Sequence, residues 1–336
     1  MNKTAIVMSD VTPESIMKVA VGFMAAKHLF IANEIGMFEK LARGSLTLEA
    51  LAERMVVPSR TTRIVADAMV TLGLLQRQGD CYHNTEVATA FLSGAAGTGL
   101  RPFLRLVNRL SYLRWARLED AVRTDTIIFQ AGFNEEEQQL YSEGVEAVTA
   151  GTANALAANY DFGRHQRVLD LGGGTGSFLL AILSRFDKVR GTLYDLPAVS
   201  SDTRRRLARI SRESRIEVVE GDFFKDPIPQ GHDAIIIANI IHCFPADRVL
   251  ELLHRVRNAA SVATRVLLVD FWTNAAHTEP DFSALMAGEF LLTPGRGDVY
   301  SIDDAVSWFG QTGWRMVEHK ALAGPASLIV AEATTL

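Results

Sequence analysis

The spacing of apolar residues changes character near residue 166. From there on, apolar runs alternate with stretches of helical spacing, and the runs are 167–171, 191–194, 216–219, 234–238 and 266–269. Nearly continuous apolar strands separated by helices predict a parallel sheet that is covered on both faces. The last two apolar runs, 314–318 and 327–331, lie too close together for a crossover helix. We therefore expect them to pair as an antiparallel hairpin.

The first part of the chain has helical spacing instead. Residues 12–43 predict a pair of helices, with Thr12 as the N-cap and Pro13 at the first helical position. Apolar residues surround these helices almost completely. This pattern predicts that they are buried, either in the chain's own core or against a partner chain, and it favours a homodimer.

Residues 45–92 show the order of elements of a winged helix. The spacing predicts two helices, over 46–54 and 61–72, followed by two short strands that are joined by a turn. A unit of this kind either binds DNA or serves as a scaffold for contacts between subunits. Residues 98–162 predict further helices throughout.

Composition narrows the classes of function. A chain of 336 residues is long enough for about two domains. Its net charge of −5 lacks the basic excess of a bulk nucleic-acid binder, so we expect no nucleic-acid partner. The two cysteines, Cys81 and Cys243, are far apart, which argues against a disulfide framework or a cysteine-based zinc module. Without a signal peptide or an unbroken apolar run of membrane length, we expect a cytoplasmic protein with no membrane partner.

The segment LDLGGGTGSF at 169–178 carries the strongest chemical signal. It follows a predicted strand, opens a predicted helix and is rich in glycine, which lets the backbone approach a ligand closely. Ligands of open α/β sheets bind outside the carboxyl ends of the strands. Ser177 stands where a dinucleotide fingerprint needs glycine, and no Lys-Ser or Lys-Thr pair follows. Neither that fingerprint nor a P-loop is therefore present.

Three further motifs follow predicted strands. Asp195 ends the second strand, where an acid accepts hydrogen bonds from both ribose hydroxyls; the alternative is a helix N-cap. Asp222 and Phe223 follow the third strand. Asp222 is suited to accept a hydrogen bond from an exocyclic amine of a ligand, and Phe223 to cover an aromatic ring. The alternative is an ordinary turn with aromatic residues in the core. His242 follows the fourth strand and is placed either for proton transfer or for packing. Its ordinary pKa of about 6.5 suits a base at neutral pH.

Taken together, these motifs resemble those of the class I S-adenosylmethionine-dependent methyltransferases. More narrowly, the chain is similar to the small-molecule O-methyltransferases of the caffeate and acetylserotonin type, including their bacterial secondary-metabolite branch. The likeness covers nearly the whole chain. It implies an α/β fold with a winged-helix-like dimerisation domain at 1–97, a helical linker at 98–162 that contributes to the acceptor pocket, and a Rossmann-like cofactor-binding domain with a terminal antiparallel hairpin at 163–336.

The resemblance also implies roles for individual residues. The general base falls on His242, and the acid that supports it falls on Asp270. S-adenosylmethionine is the implied cofactor, without a metal. The residues implied for its binding are Asp170, Gly172, Gly174, Gly176, Asp195, Leu196, Asp222 and Phe223.

Three positions depart from the family pattern. Cys243-Phe244 replace the usual Asp-Trp pair after the histidine, and Ala238 stands where a lysine near the adenine is common. The family's second supporting acid falls on Val299 when counted back from 312–314, and on Asp298 when counted forward from 294–295. The cofactor motifs are hardly affected by these departures, whereas the surroundings of the base are.

The expected reaction is transfer of a methyl group to the hydroxyl of a small, flat aromatic or heterocyclic acceptor. Methylation of carbon or nitrogen is the alternative that keeps the cofactor, and a cofactor-responsive DNA-binding regulator is the alternative that uses the winged helix. We expect the acceptor to lie between the helical linker and the cofactor-binding domain. Its candidate neighbours are Phe103, Val107 and Trp115 on one side, and Met286, Glu289, Phe290, Leu291 and Val299 on the other.

Overall fold

The chain divides into two compact units, Met1–Asn108 and Arg109–Leu336. The helical segment 98–162 is therefore shared between them. The computed structural model describes residues 12–94, 99–126, 133–208, 215–293 and 296–334.

The first unit is mostly helical and carries a small antiparallel sheet of strand order β1-β3-β2. Two successive helices and the β2–β3 ribbon reproduce the winged helix that the spacing predicts. The elements of the described part are α1 (Glu14–Ala20), α2 (Gly22–Glu34), α3 (Met37–Lys40), β1 (Leu46–Thr47), α4 (Leu48–Met55), α5 (Ser59–Thr71), β2 (Leu75–Gln78), β3 (Cys81–Asn84), α6 (Glu86–Phe91) and α7 (Arg101–Leu106).

Two predicted boundaries in this unit are wrong. Helix α1 begins at Glu14, and Pro13 rather than Thr12 occupies its N-cap position, without a side-chain cap. Leu46 and Thr47 form a strand instead of opening a helix, because Leu46 pairs with Tyr82 of β3. The Thr47 hydroxyl then accepts a hydrogen bond from the backbone of Ala50, and this cap starts α4.

Of the two alternatives predicted for the N-terminal helices, burial in the chain's own fold holds only for part of α2, where Phe30 and Ala32 are buried. Helix α1 has no buried residue, and Ile16 and Val19 keep 71% and 82% of their surface exposed. Phe23 on α2 is 53% exposed. An exposed apolar face of this extent is typical of an interaction surface.

The same segment bears on the expectation that no helix spans a membrane. By length and composition alone, Glu14–Glu34 is long and apolar enough to cross one. The sequence analysis required an unbroken apolar run of membrane length, and this segment does not meet that requirement because Lys18 and Lys27 interrupt it. Such a composition is equally that of a helix that packs against a second subunit.

The second unit is built on a seven-stranded sheet of order β6-β5-β4-β7-β8-β10-β9. The strands are parallel except for β10, which runs antiparallel to both β8 and β9. The predicted Rossmann-like sheet and terminal hairpin are thereby confirmed. The elements are α8 (Tyr112–Trp115), α9 (Leu118–Thr124), α10 (Glu135–Asn159), β4 (Arg167–Leu171), α11 (Ser177–Arg185), β5 (Arg190–Asp195), α12 (Pro197–Leu207), β6 (Ile216–Glu220), β7 (Ala234–Ala238), α13 (Ala246–Ala259), β8 (Arg265–Asp270), α14 (Asp281–Leu291), α15 (Ile302–Thr312), β9 (Trp314–Ala321) and β10 (Ser327–Ala333).

Both faces of this sheet are covered, as the continuous apolar strands predict. Val168 of β4 packs into one hydrophobic cluster with α10 and α11, whereas its neighbour Leu169 packs into a second cluster with α13 and α15. Successive side chains of a strand point to opposite faces, so a strand between two helical layers needs apolar residues at every position. The two buried carboxylates of the sheet, Asp170 and Asp270, lie at or next to the carboxyl ends of β4 and β8.

Candidate active site

The glycine-rich loop joins β4 to α11 and has an open face. Gly172, Gly174 and Gly176 all have positive φ, of 73°, 52° and 81°. A Cβ added at Gly174 would meet no atom within 4 Å, so the backbone there faces free space. The amide N–H of Gly174 donates to Oδ2 of Asp195 at 2.8 Å. The loop and the end of β5 therefore form one surface.

Asp195 lies at this surface with its second oxygen also engaged. Its Oδ1 accepts a hydrogen bond from the amide of Leu196 at 2.7 Å. Burial raises the pKa of Asp195, and the two backbone donors oppose that rise. Each carboxylate oxygen accepts more than one hydrogen bond, so both can still receive a ligand hydroxyl. Leu196 keeps 48% of its surface exposed beside this carboxylate.

Asp170 lies beneath the loop and is fully buried. Its Oδ2 has no hydrogen-bond partner among the described residues. Burial, and then the charge of Asp195, raise the pKa of Asp170 to about 7. A buried carboxyl oxygen without a donor is costly unless a ligand or water supplies one. This orphaned oxygen, the open loop and the ribose-type acid fit a cofactor that carries hydroxyl and ammonium donors.

Two residues that the sequence reasoning missed support the loop. Glu146 of α10 accepts hydrogen bonds from the hydroxyls of Thr175 and Ser177, the latter at 2.5 Å, and pairs with Arg206 of α12 at 2.5 Å. Burial of Glu146 raises its pKa, but Arg206 and the two hydroxyls outweigh it and leave the pKa lowered. Glu146 lies in a long helix far from any strand end, so no local pattern marks it.

Asp222 and Phe223 follow β6 as expected, but Asp222 also shapes its own turn. Its Oδ1 accepts from the amide of Phe224 at 2.9 Å, and its Oδ2 pairs with Lys225 at 2.8 Å. The hydrogen bond from Lys225 holds the pKa of Asp222 below its usual range. The Phe223 ring lies 3.7 Å from the position that a Cβ at Gly172 would occupy, so this element adjoins the glycine loop.

His242 and Asp270 form a buried pair at the ends of β7 and β8. The imidazole Nδ1 lies 2.5 Å from Oδ1 of Asp270, and the two residues are 8% and 1% exposed. The backbone amide of His242 donates to Oδ2 of the same carboxylate at 3.3 Å. A carboxylate only accepts hydrogen bonds, so Nδ1 carries the proton and Nε2 is left to accept one.

Two neighbouring side chains set the pKa of the imidazole. Burial lowers the pKa of His242, but Asp270 and, after it, the adjacent Cys243 outweigh burial and raise the pKa to about 10. A stronger base results, although a smaller share of it is unprotonated at neutral pH. Histidine with a raised pKa in this setting gains activity as a base when the pH rises.

Two further contacts hold His242, one at its ring and one at its backbone. The Phe290 ring stacks on it with centroids 4.0 Å apart and planes 19° apart. The chain at Gly297 passes so close that a Cβ there would lie 1.7 Å from the carbonyl oxygen of His242. Sequence reasoning missed Gly297, because only the folded chain brings the two segments together.

Neither candidate for a second supporting acid has a hydrogen bond to His242 among the described residues. Asp298 is exposed, and among the described residues its side chain hydrogen-bonds only with the amide of Val299. Val299 is 1% exposed, and its carbonyl lies 3.3 Å from Nδ1 of His277. The described contacts therefore give His242 one carboxylate partner, Asp270.

The predicted acceptor neighbours divide between the two units. Trp115 and Glu289 of the second unit meet through a hydrogen bond of 2.5 Å, whereas Met286 is half-buried on the same helix, α14, as Glu289. Phe103 and Val107 are half-buried in the first unit. Their place in an acceptor pocket stays a prediction. Among the described residues, no group of three or more His, Cys, Asp or Glu side chains is arranged to hold a metal ion.

The sequence matches two family models that together cover most of the chain. The O-methyltransferase domain matches residues 115–314, and the O-methyltransferase dimerisation domain matches residues 17–94. The 3-hydroxy-5-methyl-1-naphthoate 3-O-methyltransferase of Streptomyces sahachiroi is 29% identical over 326 residues, covering 94% of this chain and 93% of that protein. The tetracenomycin polyketide synthesis 8-O-methyl transferase of Streptomyces glaucescens is 28% identical over 95% of this chain and 96% of its own.

The fold gives the same result. The crystal structure of human N-acetylserotonin methyltransferase in complex with S-adenosylmethionine aligns with a TM-score of 0.87 and 25% identity, covering 98% of this chain and 100% of that one. The family match spans the glycine loop, the ends of β5 to β8 and the His242–Asp270 pair. The chain belongs to the O-methyltransferase family and is an S-adenosylmethionine-dependent O-methyltransferase with its own dimerisation domain.

Proposed function

We propose that the chain methylates a hydroxyl of a small, flat aromatic or heterocyclic acceptor, with His242 as the general base and Asp270 as the residue that orients it. The observation that carries this proposal is the buried 2.5 Å contact between Nδ1 of His242 and Asp270. Phe290 stacks on the imidazole and supplies an aromatic wall beside it. A catalytic base needs such a fixed ring and a defined tautomer.

The residues at the carboxyl edge of the sheet would hold the cofactor. When bound, S-adenosylmethionine supplies a methyl group that its sulfonium has already activated. Asp195 would accept the ribose hydroxyls, and Asp170 offers its unpaired oxygen beneath the open backbone at Gly174. The remaining cofactor residues would be Gly172, Gly176, Leu196, Asp222 and Phe223.

The protein must then position the acceptor and remove the proton from its hydroxyl. The hydroxyl of a phenol has a pKa of about 10, so a base that takes its proton contributes about 10²- to 10⁴-fold to the rate. His242 accepts that proton at Nε2, because Asp270 keeps the other nitrogen protonated. Asp270 also stabilises the imidazolium that forms. Alignment of acceptor and methyl group in a site without water supplies the rest.

The relatives support an aromatic acceptor in secondary metabolism. Their names specify a hydroxynaphthoate and a polyketide as the molecules that they methylate. In this chain, the aromatic rings of Phe290, Trp115 and Phe271 belong to the same unit as the base. Flat apolar walls with a few polar groups suit ring systems of this kind.

We infer the cytoplasm as the site of action.

A homodimer follows from the match to the dimerisation domain. That match begins at residue 17 and includes the exposed apolar residues of α2. Burial of Val19 and Phe23 against a second copy would remove their apolar surface from water and stabilise the dimer. The same contact accounts for the membrane-like composition of Glu14–Glu34 without a membrane.

Asp195→Ala should weaken the binding of S-adenosylhomocysteine by about 10- to 100-fold, because hydrogen bonds from hydroxyls to a carboxylate are lost. Isothermal titration calorimetry measures the dissociation constant. Asp202→Ala removes an exposed carboxylate of α12 and should leave the constant unchanged. An Asp195→Ala protein that binds as tightly as the wild type would contradict the ribose assignment.

His242→Ala should lower kcat/KM for a phenolic acceptor by about 10²- to 10⁴-fold while S-adenosylhomocysteine still binds. Mass spectrometry of the methylated product and of S-adenosylhomocysteine measures the rate. His254→Ala changes an exposed histidine of α13 and is the matched control. Unchanged turnover in His242→Ala would point instead to an acceptor that needs no base, as in methylation of nitrogen or carbon.

Asp270→Asn should move the rising limb of kcat/KM against pH to lower pH. In the wild type, the imidazolium of His242 must lose its Nε2 proton before it can act as a base, and Asp270 raises the pKa of that step. Below this raised pKa, kcat/KM therefore rises about tenfold per pH unit. Without the carboxylate, the pKa of His242 falls, because only Cys243 is left to oppose the effect of burial. The plateau should drop by about 10²- to 10⁴-fold, since the imidazole tautomer is no longer fixed.

Ionisation of the acceptor itself affects both enzymes equally, so the difference between the two profiles reports on His242. Asp247→Asn, an exposed change on α13, should leave the profile in place. A limb that stays at the same pH in Asp270→Asn would show that His242 is not the titrating base.

The double substitution Val19→Glu and Phe23→Glu should convert a dimer into monomers, because two charges would be buried in the contact. Sedimentation velocity measures the molecular mass in solution. Val262→Glu places a charge on a residue of the second unit that is 67% exposed, and it should leave the dimer intact. Wild-type protein that sediments as a monomer would refute the assignment of this face to a dimer.

A further inference from the structure

The end of helix α14 is packed between a tryptophan and the base. A Cβ added at Gly288 would lie 2.8 Å from the Trp115 indole, so the indole rests directly on the backbone there. Phe290, two residues on, stacks on His242. Glu289 lies between these two contacts, and its position along the helix is therefore fixed.

The carboxylate of Glu289 is used on one side only. Its Oε2 accepts hydrogen bonds from the Ser111 hydroxyl at 2.6 Å and from the Trp115 indole at 2.5 Å. Its Oε1 accepts no hydrogen bond from the described residues. Oε1 is also absent from the fully buried side-chain atoms without a partner, so it remains accessible and can accept a hydrogen bond from a ligand. The two donors to Oε2 fix the plane of the carboxylate and therefore the direction in which Oε1 points.

Glu289 lies on the same stretch of helix as the wall beside the base, because the next residue, Phe290, stacks on His242 with ring centroids 4.0 Å apart. Burial raises the pKa of Tyr141 on α10, and Cys243 and Glu289 raise it further while Arg114 opposes them. Trp115 keeps 36% of its surface exposed beside the carboxylate, which offers a flat ring system a platform.

We propose that Oε1 of Glu289 determines acceptor specificity: the enzyme prefers aromatic acceptors that carry a second hydrogen-bond donor, a phenolic O–H or a ring N–H, besides the hydroxyl that is methylated. The proposal rests on the proposed function and adds the acceptor's chemistry to it. A carboxylate can only accept, so a methoxy or carbonyl group at the same place would meet a negative oxygen without a proton between them. Sites built to bind a donor discriminate strongly against analogues that lack it.

Glutamine at this position is an informative substitution. Its carbonyl oxygen can take the place of Oε2 and keep the hydrogen bonds from Ser111 and Trp115, while its NH₂ group replaces Oε1. The position would then donate instead of accept. Glu289→Gln should therefore weaken the preference for the donor-bearing acceptor without loosening the helix.

The experiment compares matched acceptor pairs that differ only in the second donor: 2,3-dihydroxynaphthalene with 3-methoxy-2-naphthol, and 5-hydroxyindole with its N-methyl derivative. The wild type should prefer the donor-bearing member of at least one pair by about 10- to 100-fold in kcat/KM, the range of a hydrogen bond to a charged group. Glu289→Gln should reduce that ratio by at least tenfold. Asp281→Asn, an exposed change at the start of the same helix, should retain the wild-type ratio.

Three results would overturn the proposal. The first is wild-type turnover without a preference in either pair. The second is a ratio in Glu289→Gln that equals the wild-type ratio. The third is an equal loss of kcat/KM for both members of a pair, since that indicates a structural role. Binding of S-adenosylhomocysteine, measured by calorimetry, shows whether the variant is folded. Wild-type protein that binds S-adenosylhomocysteine but methylates no hydroxyl in the panel overturns the proposed function, and this inference with it.

Discussion

The acceptor side of the active site depends on one buried carboxylate. Asp270 ends β8 and is 1% exposed, so its oxygens must find donors within the protein. They receive three: the imidazole of His242, the backbone amide of His242 and the amide of Phe271 at 2.8 Å. These bonds hold the short turn Ile241–Cys243 against the neighbouring strand. The orientation and the tautomer of the base both depend on this group.

The cofactor side is organised by the same constraint at other strand ends. Asp195 holds the backbone of the glycine loop, and Glu146 holds the hydroxyls at the start of α11. Parallel strands bring their carboxyl ends to one edge, so residues far apart in sequence reach a common surface. Asp170 keeps an oxygen that no described residue satisfies, and it lies beneath the open loop. Contacts from the protein itself, to Asp195 and Glu146, therefore hold the loop.

The parts that local sequence encodes were predictable. Apolar runs specify the strands, and motifs that follow a strand directly, such as His242 and Asp195, must lie at the ligand edge once the sheet is parallel. The missed residues are those whose partners come from another element. Glu146 meets Ser177, and Gly297 meets His242, only after packing. The sequence left open whether the apolar face of α1 is buried in the chain or against a partner, because apolar spacing does not distinguish a chain's own interior from that of an assembly.

The departure from the family's Asp-Trp pair leaves this arrangement intact, and packing explains why. Phe244, at the tryptophan position, meets the rings of Phe223 and Phe224 with centroids 6.0 Å and 5.0 Å away. Its carbonyl accepts a hydrogen bond from the Tyr300 hydroxyl at 2.7 Å. Phe244 therefore still joins the segment of the base to the segment beside the glycine loop through aromatic contacts. The carboxylate that orients His242 comes from β8, so an aspartate next to the histidine is not needed for the pair to form.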